Sequence, residues 1–170
     1  SKVNISALKI SNNIMNKKIY LIIPALNEAK TIAQVIASVR PLVSEVILID
    51  DGSHDDTAKI AQNCGALIIK HQQNMGYDHA LNTGFHFAIT QGADYVISFD
   101  ADGQHLAKNL VKIIEACQYA NLVLGIRPQR ARLAEKIFAW YTQKKFGLSD
   151  PLCGLKAYHR SVYQSLGHFD

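Results

Sequence analysis

The sequence predicts a single α/β domain with a mostly parallel central sheet that helices cover on both faces. Short, continuously apolar runs alternate along the chain with segments whose apolar residues recur every three or four positions. Strands that are apolar throughout are typical of parallel sheets buried on both faces, and their alternation with helices is typical of α/β folds. Polar clusters follow several of the apolar runs, at the strand ends where ligands bind in such sheets.

Five apolar runs predict the strands of this domain. The first run is followed by Pro24, which we expect to stop the strand. Residues 1–17 show no sustained period and predict a loose N-terminal arm, so the domain itself spans residues 18–170. The predicted strands are Ile19–Ile23, Val46–Ile49, Ala66–Ile69, Tyr95–Phe99 and Leu122–Leu124.

Apolar residues at helical spacing predict the helices between these strands. Ile32, Val35 and Val39 carry the spacing in the first helix. Gly65 and Gly92 follow the second and third, and glycine is common just after a helix end. The predicted helices are Thr31–Val39, Asp55–Cys64, Asp78–Gln91, Leu106–Cys117 and Arg132–Phe146, and a final small unit covers Gly154–Tyr163.

The composition agrees with a folded domain and excludes several other classes of protein. Hydrophobic residues make up 48% and charged residues 19% of the chain, which excludes a disordered or collagen-like protein. No run approaches the roughly 20 apolar residues that span a membrane, and no signal-peptide core is visible. The net charge of +4 is too small to indicate nucleic-acid binding. Three cysteines without a CxxC pair predict reduced thiols, so we expect a cytoplasmic protein.

Two acidic residues, Asp100 and Asp102, follow the fourth predicted strand. Carboxylates two positions apart, just beyond a strand, can turn toward one point as the chain leaves the pleat. Such hard oxygen ligands suit Mg²⁺ or Mn²⁺, which can then bridge the phosphates of a nucleotide. The alternative is an ordinary turn, because Asp and Gly are frequent turn residues.

The adjacent pair Asp50 and Asp51 ends the second predicted strand. One carboxylate of such a pair can accept a hydrogen bond from a nucleobase N–H while the other orients the loop. Ser53 or Asp55 can cap the following helix, so a purely structural role for this segment stays open.

Two further segments are weaker indications of a binding site. Residues 24–28, Pro-Ala-Leu-Asn-Glu, end the first strand, although Asn27 or Glu28 could simply begin a helix. Residues 74–79 form a loop in which Gly76 would let the backbone approach a ligand closely. The sequence contains neither G-x-G nor a P-loop, which excludes two other kinds of nucleotide site.

Taken in order, these motifs resemble those of the family 2 glycosyltransferases with the GT-A fold. The matching segments are PALNE, EVILIDDGSHDDT, NMGYDHALNTGF, DYVISFDADGQH, GIR and SDPLCGLKAYHR, from about Ile19 to Tyr163. Within that family they are most similar to polyprenyl-phosphate sugar transferases of the dolichol-phosphate mannose synthase type. The resemblance implies a Rossmann-like GT-A domain, a UDP- or GDP-sugar donor and a divalent metal, Mg²⁺ or Mn²⁺.

The resemblance also implies roles for individual residues. Asp100 and Asp102 would bind the metal, Arg127 would meet the diphosphate, and Asp150 would lie near the acceptor. Leu26 replaces an aromatic residue of the family, which weakens stacking on the base. The residues implied in donor binding are Pro24, Leu26, Glu28, Asp51, Asp100 and Gln104.

The implied reaction is metal-dependent, inverting transfer of a hexose from the nucleotide sugar to an acceptor, for which a polyprenyl phosphate is favoured. A phosphate acceptor is already ionised, whereas a hydroxyl acceptor needs a base, for which Asp150 is the candidate. The basic and aromatic segment 127–146 predicts contact with an anionic membrane surface. The alternative is that its apolar face packs on the sheet.

Two other functional classes stay open. A nucleotidyltransferase also uses metal-binding carboxylates on an α/β domain, but it attacks at phosphorus and releases pyrophosphate. A non-catalytic or truncated nucleotide-sugar-binding domain would carry the same motifs and release neither product.

Overall fold

The computed structural model of this chain describes residues 16–101, 107–125 and 155–166. The strands are β1 Ile19–Ala25, β2 Glu45–Asp50, β3 Leu67–Lys70, β4 Tyr95–Ser98, β5 Leu122–Leu124 and β6 Lys156–His159. The helices are α1 Ile32–Val39, α2 Thr57–Asn63, α3 Tyr77–Thr90, α4 Ala107–Ala116 and α5 Arg160–Leu166, and a 3₁₀ turn covers Arg40–Leu42.

The predicted α/β fold with a mostly parallel sheet is confirmed. The strands form one six-stranded sheet in the order β3-β2-β1-β4-β6-β5. Strand β1 is parallel to β2 and β4, and β2 is parallel to β3. Strand β6 lies between β4 and β5 and is antiparallel to both. The small unit expected near the end of the chain therefore contributes β6, which is inserted between two strands that precede it in sequence.

Helices cover the two faces of the sheet, as the apolar strands require. On one face, Ile36 of α1, Ala61 of α2 and Leu110 of α4 belong to a single buried apolar cluster. On the other face, Phe85 of α3 and Tyr163 of α5 belong to a second cluster. Both faces of the central strands are thus removed from water, which is the main stabilisation of such a sheet.

Pro24 does not stop strand β1, contrary to the sequence-based expectation. Pairing with β2 continues to Ala25, which lies opposite Asp50, whereas pairing with β4 ends at Ile22, opposite Ser98. Successive backbone groups of a strand point to opposite neighbours, so Pro24 faces the same side as Ile22. Because proline has no N–H to donate there, it ends one of the two ladders and leaves the other intact.

The other predicted strands and helices agree with the described ones to within two residues at each end. Two predictions cannot be compared in this way. Residues 1–15 of the predicted arm lie outside the described residues, and so does the predicted helix Arg132–Phe146. Within the described part of the chain, no helix has the length and apolar character that crossing a membrane requires.

The parallel register brings the ends of the strands together. Ala25 of β1 lies opposite Asp50 of β2, and Asp50 lies opposite Lys70 of β3. We call the segments that follow β1 to β4, residues 26–31, 51–56, 71–76 and 99–101, the carboxyl edge of the sheet. The segments at the opposite ends of β1, β2 and β4, residues 16–18, 43–44 and 91–94, form the amino edge, together with Arg160, whose N–H donates to the carbonyl of Asp94.

Candidate active site

Asp50 orients the loop that follows β2. Its side chain is fully buried, and its Oδ1 accepts a hydrogen bond of 2.9 Å from the backbone N–H of Ser53. Its Oδ2 lies 3.4 Å from Nζ of Lys70. The backbone N–H of His71 donates to the Asp50 carbonyl at 2.9 Å, which continues the β2–β3 ladder by one residue. These contacts give Asp50 the structural role that the sequence allowed for one member of the acidic pair.

Side-chain hydrogen bonds join the loop after β1 to the loop after β2. Asn27 has a φ of 58°, a left-handed conformation that asparagine tolerates better than most residues. Its N–H donates to Oγ of Ser53 at 2.9 Å, and its Oδ1 accepts from the N–H of His54 at 2.9 Å. The N–H of Glu28 donates to Oγ1 of Thr57 at 2.8 Å. The two loops therefore form one unit, on which Leu26 is 39% exposed.

Asp51 holds the loop that precedes α3. Its Oδ1 accepts hydrogen bonds from His71 Nδ1 at 2.7 Å and from the N–H of Met75 at 2.9 Å. Its Oδ2 accepts from the N–H of Gly76 at 2.8 Å. Only 7% of the Asp51 side chain is exposed. We call Asp51, His71, Met75 and Gly76 the Asp51 clamp.

The Asp51 clamp stabilises the ionised carboxylate. Burial alone raises the pKa of Asp51, but the hydrogen bonds from His71, Met75 and Gly76 and the charge of His71 outweigh it, so the pKa is lowered. The clamp therefore places a fixed negative charge just beneath the surface of the carboxyl edge.

Gly52 lets the loop before α3 approach the loop after β2. Its φ is 83°, and a Cβ atom at this position would lie 2.8 Å from the backbone nitrogen of Asn74 and 2.8 Å from the carbonyl carbon of Gln73. Any larger residue would have to displace backbone, since such Cβ contacts are too close to occur. The geometry of the Asp51 clamp thus depends on a glycine at this position.

Asp100 lies at the same edge and is joined to the start of α3. The hydroxyl of Tyr77 donates to Oδ1 of Asp100 at 3.1 Å. Partial removal from water and the neighbouring Asp100 carboxylate raise the pKa of Tyr77, so its hydroxyl stays protonated and remains a donor. Since Tyr77 directly follows Gly76, residues 74–77 contact both Asp51 and Asp100 and link the two carboxylates.

Asp100 is the one predicted metal ligand among the described residues, and its surroundings suit that role. It offers carboxylate oxygens at the end of a buried strand, and it is only partly exposed. Its predicted partner Asp102 lies outside the described residues. Within the described ranges, no three His, Cys, Asp or Glu side chains are arranged to hold a metal ion.

The structure brings four of the predicted site residues to the carboxyl edge and places a fifth, Pro24, just before it in β1. Pro24 is buried within β1, Glu28 and Asp100 are partly exposed, Leu26 is exposed, and Asp51 is held in its clamp. Four predicted residues lie outside the described residues, and they are Asp102, Gln104, Arg127 and Asp150.

Two contacts of the site were not predicted. His71 binds Asp51, and Tyr77 binds Asp100. His71 directly follows strand β3, at the same strand ends as the predicted clusters, and this position was the available signal. Tyr77 lies in the segment 74–79 that was predicted as a loop, and it begins α3 in the structure, but an aromatic residue there gave no indication of its partner.

A family model and several relatives match this chain. The model for "Glycosyl transferase family 2" matches residues 20–166. The chain is 31% identical to the UDP-N-acetylglucosamine--dolichyl-phosphate N-acetylglucosaminyltransferase of Methanococcus voltae, over 89% of this chain and 73% of that protein. It is 30% identical to the undecaprenyl-phosphate 4-deoxy-4-formamido-L-arabinose transferase of Aeromonas hydrophila, over 91% of this chain and 53% of that protein.

A solved structure of a sugar-transferring enzyme is also similar to this chain. The glucosyl-3-phosphoglycerate synthase of Mycobacterium tuberculosis, in complex with Mn²⁺, uridine-diphosphate-glucose and phosphoglyceric acid, superposes with a TM-score of 0.74 at 26% identity. That likeness covers 89% of this chain and 60% of the synthase. The chain spans about half the length of most of the curated relatives that it matches.

Proposed function

This chain belongs to glycosyl transferase family 2, and from that premise we propose that it transfers a sugar from a nucleotide-diphosphate sugar to an acceptor. The observation that carries the proposal is the position of two carboxylates, Asp51 and Asp100, at one edge of the sheet, linked by residues 74–77. A nucleotide-sugar donor is supported by the name of one relative, which contains a UDP-sugar, and by the structurally similar synthase, which was crystallised with one.

Asp51 is the proposed contact for the nucleobase. An ionised carboxylate oxygen can accept two hydrogen bonds, and Oδ2 of Asp51 accepts one, from Gly76, among the described contacts. Its remaining acceptor position suits an N–H of a pyrimidine or purine base. Exposed Leu26 and partly exposed Glu28 follow β1 beside it and would contact the base and ribose, together with Pro24.

Asp100 and Asp102 are the proposed ligands of Mg²⁺ or Mn²⁺, with Gln104 beside them. The bound metal would neutralise negative charge on the diphosphate. Tyr77 would orient Asp100 through its hydrogen bond, and Arg127 would add a second positive charge for the departing nucleoside diphosphate. Mn²⁺ in the structurally similar synthase supports the choice of metal.

The proposed acceptor is a polyprenyl phosphate. Relatives that transfer sugars to dolichyl or undecaprenyl phosphate support it. A phosphate oxygen is already ionised and attacks the anomeric carbon without a base, with inversion, whereas a hydroxyl acceptor would use Asp150. A lipid acceptor agrees with a cytoplasmic domain, residues 18–170, that contacts the membrane surface through the basic segment 127–146.

Donor binding by wild-type protein and two variants tests the proposal. We expect UDP-N-acetylglucosamine, UDP-glucose or GDP-mannose to bind in calorimetry with Mn²⁺ and much more weakly without it. Asp100→Asn should abolish the metal-dependent part, and Asp94→Asn, at the amino edge, should leave it unchanged. Equal metal-dependent binding by Asp100→Asn would contradict the metal assignment, and release of pyrophosphate rather than nucleoside diphosphate would indicate a nucleotidyltransferase instead.

A further inference from the structure

We propose that His71 is a positioning residue of the donor site and that it acts as an imidazolium ion held between Asp51 and Thr83. The inference rests on the proposed function, because it concerns the carboxylate assigned to the nucleobase. His71 follows β3, Asp51 follows β2, and Thr83 lies in α3, so this one ring joins three separate elements.

The ring of His71 is held at both nitrogens. Nδ1 lies 2.7 Å from Oδ1 of Asp51, and Nε2 lies 3.0 Å from Oγ1 of Thr83. Only 12% of the side chain is exposed. A ring with two short contacts and little exposure has one orientation, so the direction from which it approaches Asp51 is fixed.

The partners of the ring determine where its protons are. The Asp51 carboxylate is ionised and can only accept, so Nδ1 carries a proton. Oγ1 of Thr83 lies 3.0 Å from the backbone carbonyl of His79, which also can only accept, so the single hydroxyl proton of Thr83 is used there. Thr83 therefore presents a lone pair to Nε2, and Nε2 carries the second proton.

The charged and titratable groups around the ring agree with a cation at this position. Asp51 contacts the ring directly. From α3, the ring of His79 lies edge-on with a centroid distance of 5.3 Å, and His79 is itself exposed. Lys70, the neighbouring cation, is paired with Asp50 and does not compete for Asp51.

This contact determines which oxygen of Asp51 is available to a ligand. His71 and Met75 together occupy Oδ1, whereas Oδ2 receives only Gly76 among the described contacts. Without His71, the carboxylate keeps only the hydrogen bonds from the N–H groups of Met75 and Gly76 and loses the contact that fixes it from the β3 side. His71 thus acts through Asp51, and its loss should weaken nucleotide binding without changing metal binding.

Three variants test this role in the full chain. His71→Gln removes the charge and one of the two donors, Thr83→Val removes the acceptor for Nε2 while keeping the shape, and His86→Gln is the control on the exposed face of α3. With UDP in the presence of Mn²⁺, we expect the Kd to rise about tenfold in His71→Gln, as for a lost charge-assisted hydrogen bond, and about threefold in Thr83→Val. The affinity for Mn²⁺ alone, read from its electron paramagnetic resonance signal, should be unchanged in all three.

Nitrogen NMR of the histidine ring gives a readout that a merely structural role would not move. In wild-type protein at neutral pH, both ring nitrogens of His71 should show the closely similar shifts of a protonated ring, and Thr83→Val should separate them. Widely separated shifts in the wild type would overturn the inference, as would equal UDP affinity in His71→Gln and wild type. Failure of the wild type to bind any nucleotide with Mn²⁺ would instead overturn the proposed function, and the donor role of His71 with it.

Discussion

Two carboxylates at opposite edges of the sheet, Asp51 and Asp94, have closely similar surroundings. At the amino edge, Oδ2 of Asp94 accepts from the N–H of Lys18 at 2.9 Å, and Oδ1 pairs with the guanidinium of Arg160. Burial alone raises the pKa of Asp94, but the hydrogen bonds from Lys18 and Arg160 and the charge of Arg160 lower it overall. We call these three residues the Asp94 clamp. Each edge therefore has an ionised carboxylate that is held by backbone N–H groups and a basic side chain.

The two clamps differ in what they hold. Lys18 precedes β1 and Arg160 begins α5, so the Asp94 clamp joins the starts of regular elements to one another. The Asp51 clamp instead holds a loop on which Met75 is 46% exposed, next to Tyr77, which is also 46% exposed and reaches Asp100. An ionised, well-bonded carboxylate is thus no indication of function by itself. The exposed groups that it positions make the difference.

The largest difference between the two edges is expected when a glycine with positive φ is replaced by alanine at each of them. Gly52→Ala should lower the free energy of unfolding by about 3 kcal/mol, because a left-handed backbone costs about 1–2 kcal/mol and overlap with packed atoms costs about 1–3 kcal/mol. Gly92 has a φ of 81°, and a Cβ atom added there would have Nζ of Lys18 as its nearest neighbour, at 4.0 Å. Gly92→Ala should therefore lose only the backbone part, about 1–2 kcal/mol. Urea unfolding measures both, and equal losses would contradict the close approach at Gly52.

Removing each carboxylate should give opposite patterns of loss. Asp51→Ala should weaken nucleotide binding by about ten- to a hundred-fold, since a charge-assisted hydrogen bond contributes about 1.5–3 kcal/mol. Asp94→Ala should instead lower the free energy of unfolding, by the same amount of about 1.5–3 kcal/mol, and it should keep the nucleotide affinity of the wild type. Calorimetry and urea unfolding on both variants test this, and a loss of affinity in Asp94→Ala would mean that both edges matter for the donor.

Because each clamp lowers the pKa of its carboxyl group, the protein should be less stable in acid than at neutral pH. A lowered pKa means that the unfolded chain binds protons more readily than the folded one, so this stability is present above the ordinary carboxyl pKa and is lost as the pH falls from about 5 through the lowered folded values. The free energy of unfolding should thus decrease with falling pH, and less steeply in Asp51→Asn and in Asp94→Asn. Urea midpoints across this range measure the slopes, and an unchanged slope in either variant would show that its clamp does not lower the pKa.

The smallest difference between the two edges is expected when a tyrosine hydroxyl is removed at each of them. Tyr77→Phe removes the donor to Asp100 and should weaken Mn²⁺ binding about two- to fivefold, about 0.5–1 kcal/mol. At the amino edge, the hydroxyl of Tyr95 donates to the carbonyl of Cys117 at 2.6 Å. Tyr95→Phe should lower the free energy of unfolding by about 1 kcal/mol and leave Mn²⁺ binding unchanged. Tighter or unchanged Mn²⁺ binding in Tyr77→Phe would show that its hydroxyl does not orient Asp100.

Most of the fold could be predicted because the central strands are apolar on both faces. Strand β6 was the exception, since only Ala157 of its four residues is buried and it has no apolar run. Its place between β4 and β5 depends on pairing between distant segments, which no local pattern records. The effect of Pro24 was predicted wrongly for a related reason, because it depends on which neighbour the residue faces.

The candidate site could be predicted in part. Acidic clusters at strand ends indicated Asp51 and Asp100, because the parallel topology brings those ends together. The division of labour between Asp50 and Asp51 could not be read from an adjacent pair of identical residues, since it depends on which side chain turns inward. His71 was one histidine among seven scattered ones, and its role follows from a neighbour twenty residues away in sequence, which only the fold brings into contact.

The insertion of β6 between β4 and β5 has a consequence for the order in which the sheet assembles. The pairing that joins β1 to β4 needs no later strand, so these four strands can come together once residue 98 has left the ribosome. Among the described strands, β5 pairs only with β6, so it lacks that partner until residues 156–159 arrive, and until then β4 also presents an unpaired edge. Pairing between segments that are distant in sequence slows folding. A nascent chain that stalls before residue 156 would therefore carry β1 to β4, with Asp51 and Asp100 at their carboxyl ends, beside an unpaired edge prone to aggregation.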